Sequence, residues 1–108
     1  MAQNFRRYTQ NNVGTSAATV FTADSYDTVV GISIANITGA SVLVDVYIND
    51  GSNDIYLGKQ LPVPSGSSIQ ILDGGAKVVV QSGDALKVVS DTASSLDVWV
   101  STVDAIST

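Results

Sequence analysis

The residue types on which most enzyme chemistry depends are missing from this sequence. Its 108 residues include no His, no Cys and no Glu, so the usual triads and dyads of nucleophilic and acid–base catalysis cannot be assembled. Pairs of Asp could in principle act as acid and base. Most of the ten Asp, however, stand beside Gly, Ser, Asn or Thr in segments typical of turns. We therefore predict that the chain is not an enzyme and has no catalytic residues.

One loop contains enough oxygen ligands to raise the question of a metal site. Asp50, Asn53 and Asp54 lie within the segment NDGSND and could offer carboxylate and amide oxygens to calcium. Their spacing does not match an EF-hand loop, and no Glu closes it. A hairpin turn accounts for the same residues, so we predict no metal site and no cofactor, with calcium at this loop as the alternative.

β-strands must position these side chains, because hydrophobic residues recur with a period of two along most of the chain. The pattern is clearest between residues 26 and 49, where two runs rich in β-branched residues flank a break at residues 36–40. We predict that the two runs form the central hairpin of an antiparallel sheet, and that Gly31 marks a bulge or a close backbone approach. The expected inward residues of the runs are Val30, Ile32, Ile34, Val42, Val44, Val46 and Ile48.

Similar runs follow to the end of the chain and give about eight strands, separated by turn signals at roughly 8–12 residues. This pattern predicts an all-β fold, a single antiparallel β-sandwich of jelly-roll or immunoglobulin-like type over residues 15–108. A polar N-terminal arm, residues 1–14, precedes it. The predicted turns include residues 24–25, 49–54, 73–75 and 81–84. The remaining expected core residues are Leu57, Ile69, Ile71, Val78, Val80, Leu86, Val88, Leu96, Val98 and Val100.

A few aromatic and basic residues are the candidates for contacts with other molecules. Those in the N-terminal arm need an edge of their own sheet or a neighbouring copy to hold them in place. Two further aromatics point away from the faces that their apolar neighbours share, and aromatic residues are enriched in protein interfaces. For these two aromatics, a cover for the sheet and a platform for a sugar stay open as alternatives. The interface candidates are Phe5, Arg6, Arg7, Tyr8, Tyr47 and Trp99.

The overall composition limits the classes of partner. The formal net charge is −5, and charged residues make up 14% of the chain. An acidic chain with one basic pair offers little to nucleic acid, and no apolar run approaches the length of a membrane span. So low a charged fraction often belongs to a surface that a partner partly covers, although Ser, Thr, Asn and Gly can also keep such a surface solvated. We therefore expect a homo-oligomer with no nucleic acid and no membrane as partners.

Two segments point to a known family. They are the Pro-x-Gly-Ser-Ser turn at residues 64–68 and the Gly-Asp-x-Leu-Lys-Val hairpin at residues 83–88. Together with the strands around them, over residues 26–104, they resemble the small all-β structural proteins of tailed-bacteriophage virions, which are found on heads, necks and tails.

This resemblance implies a structural subunit of the virion, most specifically a capsid cement or decoration protein that oligomerises and stabilises the particle. The partners would be other virion proteins and the location the virion, with no catalytic residues to carry over. Two alternatives accompany this expectation. One is a neck, tail or baseplate subunit, and the other is a carbohydrate-binding module directed at the host surface.

Overall fold

The computed structural model describes residues 3–23, 27–72 and 78–105, and their regular structure consists of β-strands. These described residues contain no helix, and therefore none that could cross a membrane. The turns predicted at residues 24–25 and 73–75 lie outside the described residues. The strands are β1 (Gln3–Val13), β2 (Ala18–Thr22), β3 (Asp27–Asn36), β4 (Val42–Asn49), β5 (Asp54–Val63), β6 (Ser68–Leu72), β7 (Val78–Val80), β8 (Ala85–Ser90) and β9 (Leu96–Ala105).

The strands form two antiparallel sheets that enclose one core, which confirms the predicted β-sandwich. The first sheet has the order β1-β9-β3-β6, with β7 also paired to β3, and the second has the order β2-β8-β4-β5. With β7 as an addition, the interleaved strand orders β1-β9-β3-β6 and β2-β8-β4-β5 are those of a jelly roll. The described strands number nine rather than about eight, since part of the expected N-terminal arm is itself a strand.

The N-terminal segment is held by the chain's own sheet, which was one of the two alternatives. β1 pairs antiparallel with β9 from Gln3 to Gln10 and again at Val13. Between these points the register shifts, and Asn12 has a φ of 54°, a conformation that Asn adopts more readily than most residues. The shift turns Val13 into the core, where it is 2% exposed.

The hairpin predicted between residues 26 and 49 is wrong, because its two strands lie in different sheets. The break between them is a corner held by Asn36, whose side chain is buried. Its Nδ2 donates to the carbonyl oxygens of Ala40 at 2.7 Å and of Val63 at 2.9 Å, and its Oδ1 accepts from the backbone N–H of Thr38 at 2.8 Å. The hairpin expected at residues 83–88 fails in the same way, since β7 and β8 also lie in different sheets.

Most of the predicted core is buried between the sheets, with Ile32, Val44 and Val100 at 0% exposure. Val30 is a wrong prediction, because Val29 is buried in its place. The pairing of β3 with β9 shifts between Val29 and Gly31, so a bulge reverses the alternation at the point where Gly31 predicted one. Four of the predicted core residues are only partly buried against the core: Leu57, Ile69, Ile71 and Val78. The buried core residues that the prediction did not include are Val13, Val20, Phe21, Ala23, Val29 and Val63.

Candidate interaction surface

The outward surface of the first sheet, called the outer face below, is formed by β1, β9, β3 and β7. It presents three large hydrophobic residues to solvent: Phe5 at 77% exposure, Val79 at 66% and Trp99 at 51%. The register places Phe5 opposite Val103, Val103 opposite Thr28, and Thr28 opposite Val79. Because neighbouring strands are about 4.8 Å apart, this row extends roughly 14 Å across the sheet.

Arg7 and Trp99 meet on the outer face where the edge strand β1 lies beside β9. The Cζ atom of Arg7 lies 5.4 Å from the centroid of the Trp99 ring, which is the geometry of a cation–π contact. Trp99 itself lies between Thr9 of β1 and Ser33 of β3. The indole therefore points outward, as the alternation of β9 predicts, with about half of its surface left for another molecule.

The other two candidates in β1 lie on the opposite side of the strand. Tyr8 stacks on Phe21 of the second sheet, with ring centroids 4.4 Å apart and an interplanar angle of 12°. Arg6 pairs with Thr102 of β9, whose Oγ1 donates to the Arg6 carbonyl oxygen at 3.4 Å. The structure thus divides the four residues: Phe5 and Arg7 belong to the outer face and Tyr8 packs on the second sheet, whereas Arg6 alternates to the same side of β1 as Tyr8 and stays exposed.

Tyr47 points away from the core, as predicted, but little of it reaches solvent. Its side chain is 8% exposed, and its ring centroid lies 5.0 Å from that of Tyr56 on β5. Burial, with smaller contributions from Asp54, Tyr56 and Asp45, raises the pKa of the Tyr47 hydroxyl. The aromatic residue that this sheet offers to a partner is therefore Tyr56, which is 43% exposed and has the Lys59 Nζ 4.5 Å from its ring centroid.

A shallow depression of ≈ 360 Å³ lies beside Trp99 on the outer face. Its polar lining comes from Thr9, Asn11, Ser33 and Asp97, among others. The Asp97 carboxylate is held in place because its Oδ1 accepts a hydrogen bond from the backbone N–H of Asn12 at 3.1 Å. The depression therefore offers one aromatic surface for stacking beside hydroxyl, amide and carboxylate groups that can form hydrogen bonds.

The 50–54 loop has the hydrogen bonds of a turn. Oδ1 of Asp50 accepts from the backbone N–H groups of Asn53 at 2.8 Å and Ser52 at 3.0 Å. These bonds, that from Asn53 first, lower the pKa of the Asp50 carboxyl. Among the residues that the structure describes, no group of three or more His, Cys, Asp or Glu is placed to hold a metal ion.

The edges of the two sheets differ in how well they are protected against a further strand. β2 and β6 have 5 residues each and β7 has 3. β5 is longer but irregular, since its pairing with β4 shifts twice, Gln60 has a φ of 53° and Pro62 lacks an N–H. β1, with 11 residues, is the long edge.

No protein-family model matches the sequence, and no curated protein matches it. A solved structure does. It comes from Bacillus endospore appendages, which are described as disulfide-linked pili, and it superposes with a TM-score of 0.57 at 15% sequence identity. The match covers 94% of this chain and 84% of that one. At this identity the similarity establishes a shared all-β sandwich fold.

The structure adds three exposed residues to the candidate surfaces that the sequence analysis did not name. Val79 belongs to the outer face, and Ile55 and Tyr56 belong to the edge strand β5. The alternation of β7 did place Val79 away from the core. Nothing in the run around residues 55–57 indicated that it forms an edge, because edge position depends on the order of strands in the sheet.

Proposed function

We propose that this protein is a structural subunit of a bacteriophage virion, specifically a capsid cement or decoration protein whose copies assemble through non-covalent contacts. The observation that carries the proposal is the outer face, where Phe5, Val79 and Trp99 are exposed on one sheet. Exposed hydrophobic residues grouped on one face are typical of protein interaction sites. Residues 26–104 resemble small structural proteins of tailed-bacteriophage virions, and this resemblance supports the virion as the particle in which the protein assembles.

A second setting is a fibre or pilus-like polymer, which is favoured by the shared fold with the chain from Bacillus appendages. Those pili are described as disulfide-linked, whereas the 108 residues here include no Cys. Contacts made by this sequence therefore depend on hydrophobic burial, backbone hydrogen bonds and charge pairs. In both settings the protein has a structural and not a catalytic role.

Quantitative mass spectrometry of purified particles tests the proposal. A decoration protein occurs in a fixed ratio to the major capsid protein, whereas a neck, tail or baseplate subunit occurs in few copies. A fibre subunit is instead recovered in filaments that lack capsid protein. Absence of the chain from both particles and filaments would contradict a structural role.

Variants identify the outer face as the surface involved. Phe5→Ser and Trp99→Ser should each reduce incorporation into particles, because both remove exposed hydrophobic area from the proposed contact. Ile37→Ser is the matched control, since Ile37 is 49% exposed but lies in the corner between β3 and β4. Equal incorporation of all three variants would exclude the outer face as the contact.

The depression beside Trp99 favours one further candidate, a module that binds carbohydrate. Trp99 would stack on the sugar ring, and Asp97, Asn11 and Thr9 would bond its hydroxyl groups. Glycan-array binding by the purified protein that is lost in Trp99→Ala, and kept in Tyr56→Ala, would support this function. Absence of binding, or binding that Trp99→Ala leaves unchanged, would reject it.

A further inference from the structure

β1 is the longest sheet edge among the described strands. Edge strands are normally protected against other strands by shortness, Pro, charged side chains (Lys above all), bulges or a covering segment. β1 has 11 residues with no Pro, its charged side chains are two Arg, which an acidic strand would complement, and its pairing with β9 is regular from Gln3 to Gln10. On its other side, the described part of the chain supplies no strand. The backbone groups along this side can therefore pair with a strand from another molecule.

β1 is also a basic strand in an acidic chain. It contains Arg6 and Arg7 and no acidic residue, whereas the three Lys and all ten Asp lie outside it. The rest of the chain therefore has a formal charge of −7. A strand that adds to β1 should be acidic, since opposite charges favour the correct partner and like charges oppose a wrong one. A second copy of this chain meets that condition, and a second β1 does not.

The start of β5 is the described edge that fits. Asp54, Ile55 and Tyr56 are exposed, and they pair in regular register with Asn49, Ile48 and Tyr47 of β4. The irregular part of β5 begins beyond them. The other short edges, β2, β6 and β7, contain no acidic residue within their described spans.

We infer that β1 of one copy pairs antiparallel with residues 54–56 of β5 in the next copy, an interface that rests on the self-assembly proposed above. With Phe5 opposite Tyr56, the register also places Arg7 opposite Asp54. All four side chains then lie on the outward surface of the joined sheets, because Phe5 and Arg7 belong to the outer face and Tyr56 packs on outward-pointing Tyr47. Each cross-strand pair matches in chemistry, one aromatic and one of opposite charge.

The positions of the two edges determine what kind of assembly results. β1 packs beside β2 at one side of the sandwich, and β5 packs beside β6 at the other. An interface between two different surfaces at opposite sides leaves a free edge at each end of a dimer. Copies would therefore add head to tail, in a ring if the rotation closes and in a row if it does not.

A charge swap tests the pairing. Arg7→Asp and Asp54→Arg, made separately, should each raise the protein concentration needed for assembly by about tenfold, as measured by light scattering after size exclusion. The double variant, and an equimolar mixture of the two single variants, should assemble as the wild type does, because every interface then regains one Arg and one Asp. Lys87→Asp is the control for Arg7→Asp, since it lowers the net charge by the same amount on β8, which is paired on both sides.

The outcomes separate this interface from the proposed function. If the wild type assembles and the single variants assemble equally well, the pairing is wrong, while the presence of the chain in particles still decides the structural role. An effect of Arg7→Asp without any effect of Asp54→Arg would also overturn it, in favour of a contact made through the outer face, where Arg7 covers Trp99. A wild-type chain that stays monomeric at every concentration would reject it as well. Near-UV circular dichroism of each variant shows that the fold is retained.

Discussion

The guanidinium of Arg7 covers the indole of Trp99, with 5.4 Å between Cζ and the ring centroid, and so joins β1 to β9 across the outer face. This contact adds a side-chain link to the backbone ladder that holds the terminal strand. It also sets the orientation of the largest exposed aromatic ring in the described structure. The same two residues therefore contribute to the stability of β1 and to the shape of the proposed contact surface.

We predict that Arg7 and Trp99 are coupled by about 0.5–1 kcal/mol, the usual strength of an exposed cation–π pair. The measurement is a double-mutant cycle with Arg7→Ala, Trp99→Ala and the combined variant, each unfolded in urea. Destabilisation by the combined variant should be smaller than the sum of the two single effects. Additive effects would show that the contact contributes no free energy to the fold.

The register of β4 gives a paired test on adjacent residues. Val44 is 0% exposed, whereas Leu43 is 39% exposed and points to the opposite face. Val44→Ala should lower the free energy of unfolding by about 1–3 kcal/mol, since it removes buried methyl groups. Leu43→Ala should cost less, although it removes more atoms. The reverse order in thermal or urea unfolding would mean that β4 is displaced by one residue.

The corner between the sheets depends on Asn36. Asn36→Ala should destabilise the protein by about 2–3 kcal/mol, because it removes the side-chain hydrogen bonds to Ala40, Val63 and Thr38 at a buried position. Asn11→Ala, at an exposed position in β1, is the matched control and should have little effect. If both variants unfold at the same urea concentration, the corner is held by something other than this side chain.

Alkaline pH should weaken the fold through Tyr47. Its pKa is raised in the folded state, chiefly by burial, so the fold favours the neutral hydroxyl. The resulting stability is fully present below the unfolded-state pKa, which is about 10, and is lost as the pH rises through the higher folded-state pKa.

Urea unfolding at a series of alkaline pH values measures this effect. Tyr47→Phe should lose less stability than the wild type as the pH rises above about 10, because the titrating hydroxyl is gone. The same variant at neutral pH provides the reference for any change in packing. Parallel pH profiles for the two proteins would show that Tyr47 does not contribute to alkaline unfolding.

Alternation along single strands was enough to predict much of the inside and outside of this protein. Ile32, Val44 and Val100 are buried and Trp99 is exposed as the period of two requires, because that period follows from the geometry of the strand alone. The exception is Val30, where a bulge adds one residue to β3 and reverses the alternation. Gly31 indicated the bulge, but not which of its neighbours would turn inward.

The amino-acid sequence thus determined the all-β class and the positions of most strands. Its lack of His, Cys and Glu is a property of the sequence itself. The partner of each strand was decided only by the tertiary structure. Two strands that each bury one face look alike whether they lie side by side or pack across the core, so β3 and β4 were wrongly joined as a hairpin. Strand order also made β1 and β5 edges and brought Arg7 onto Trp99, since these relations depend on contacts between residues far apart in the chain.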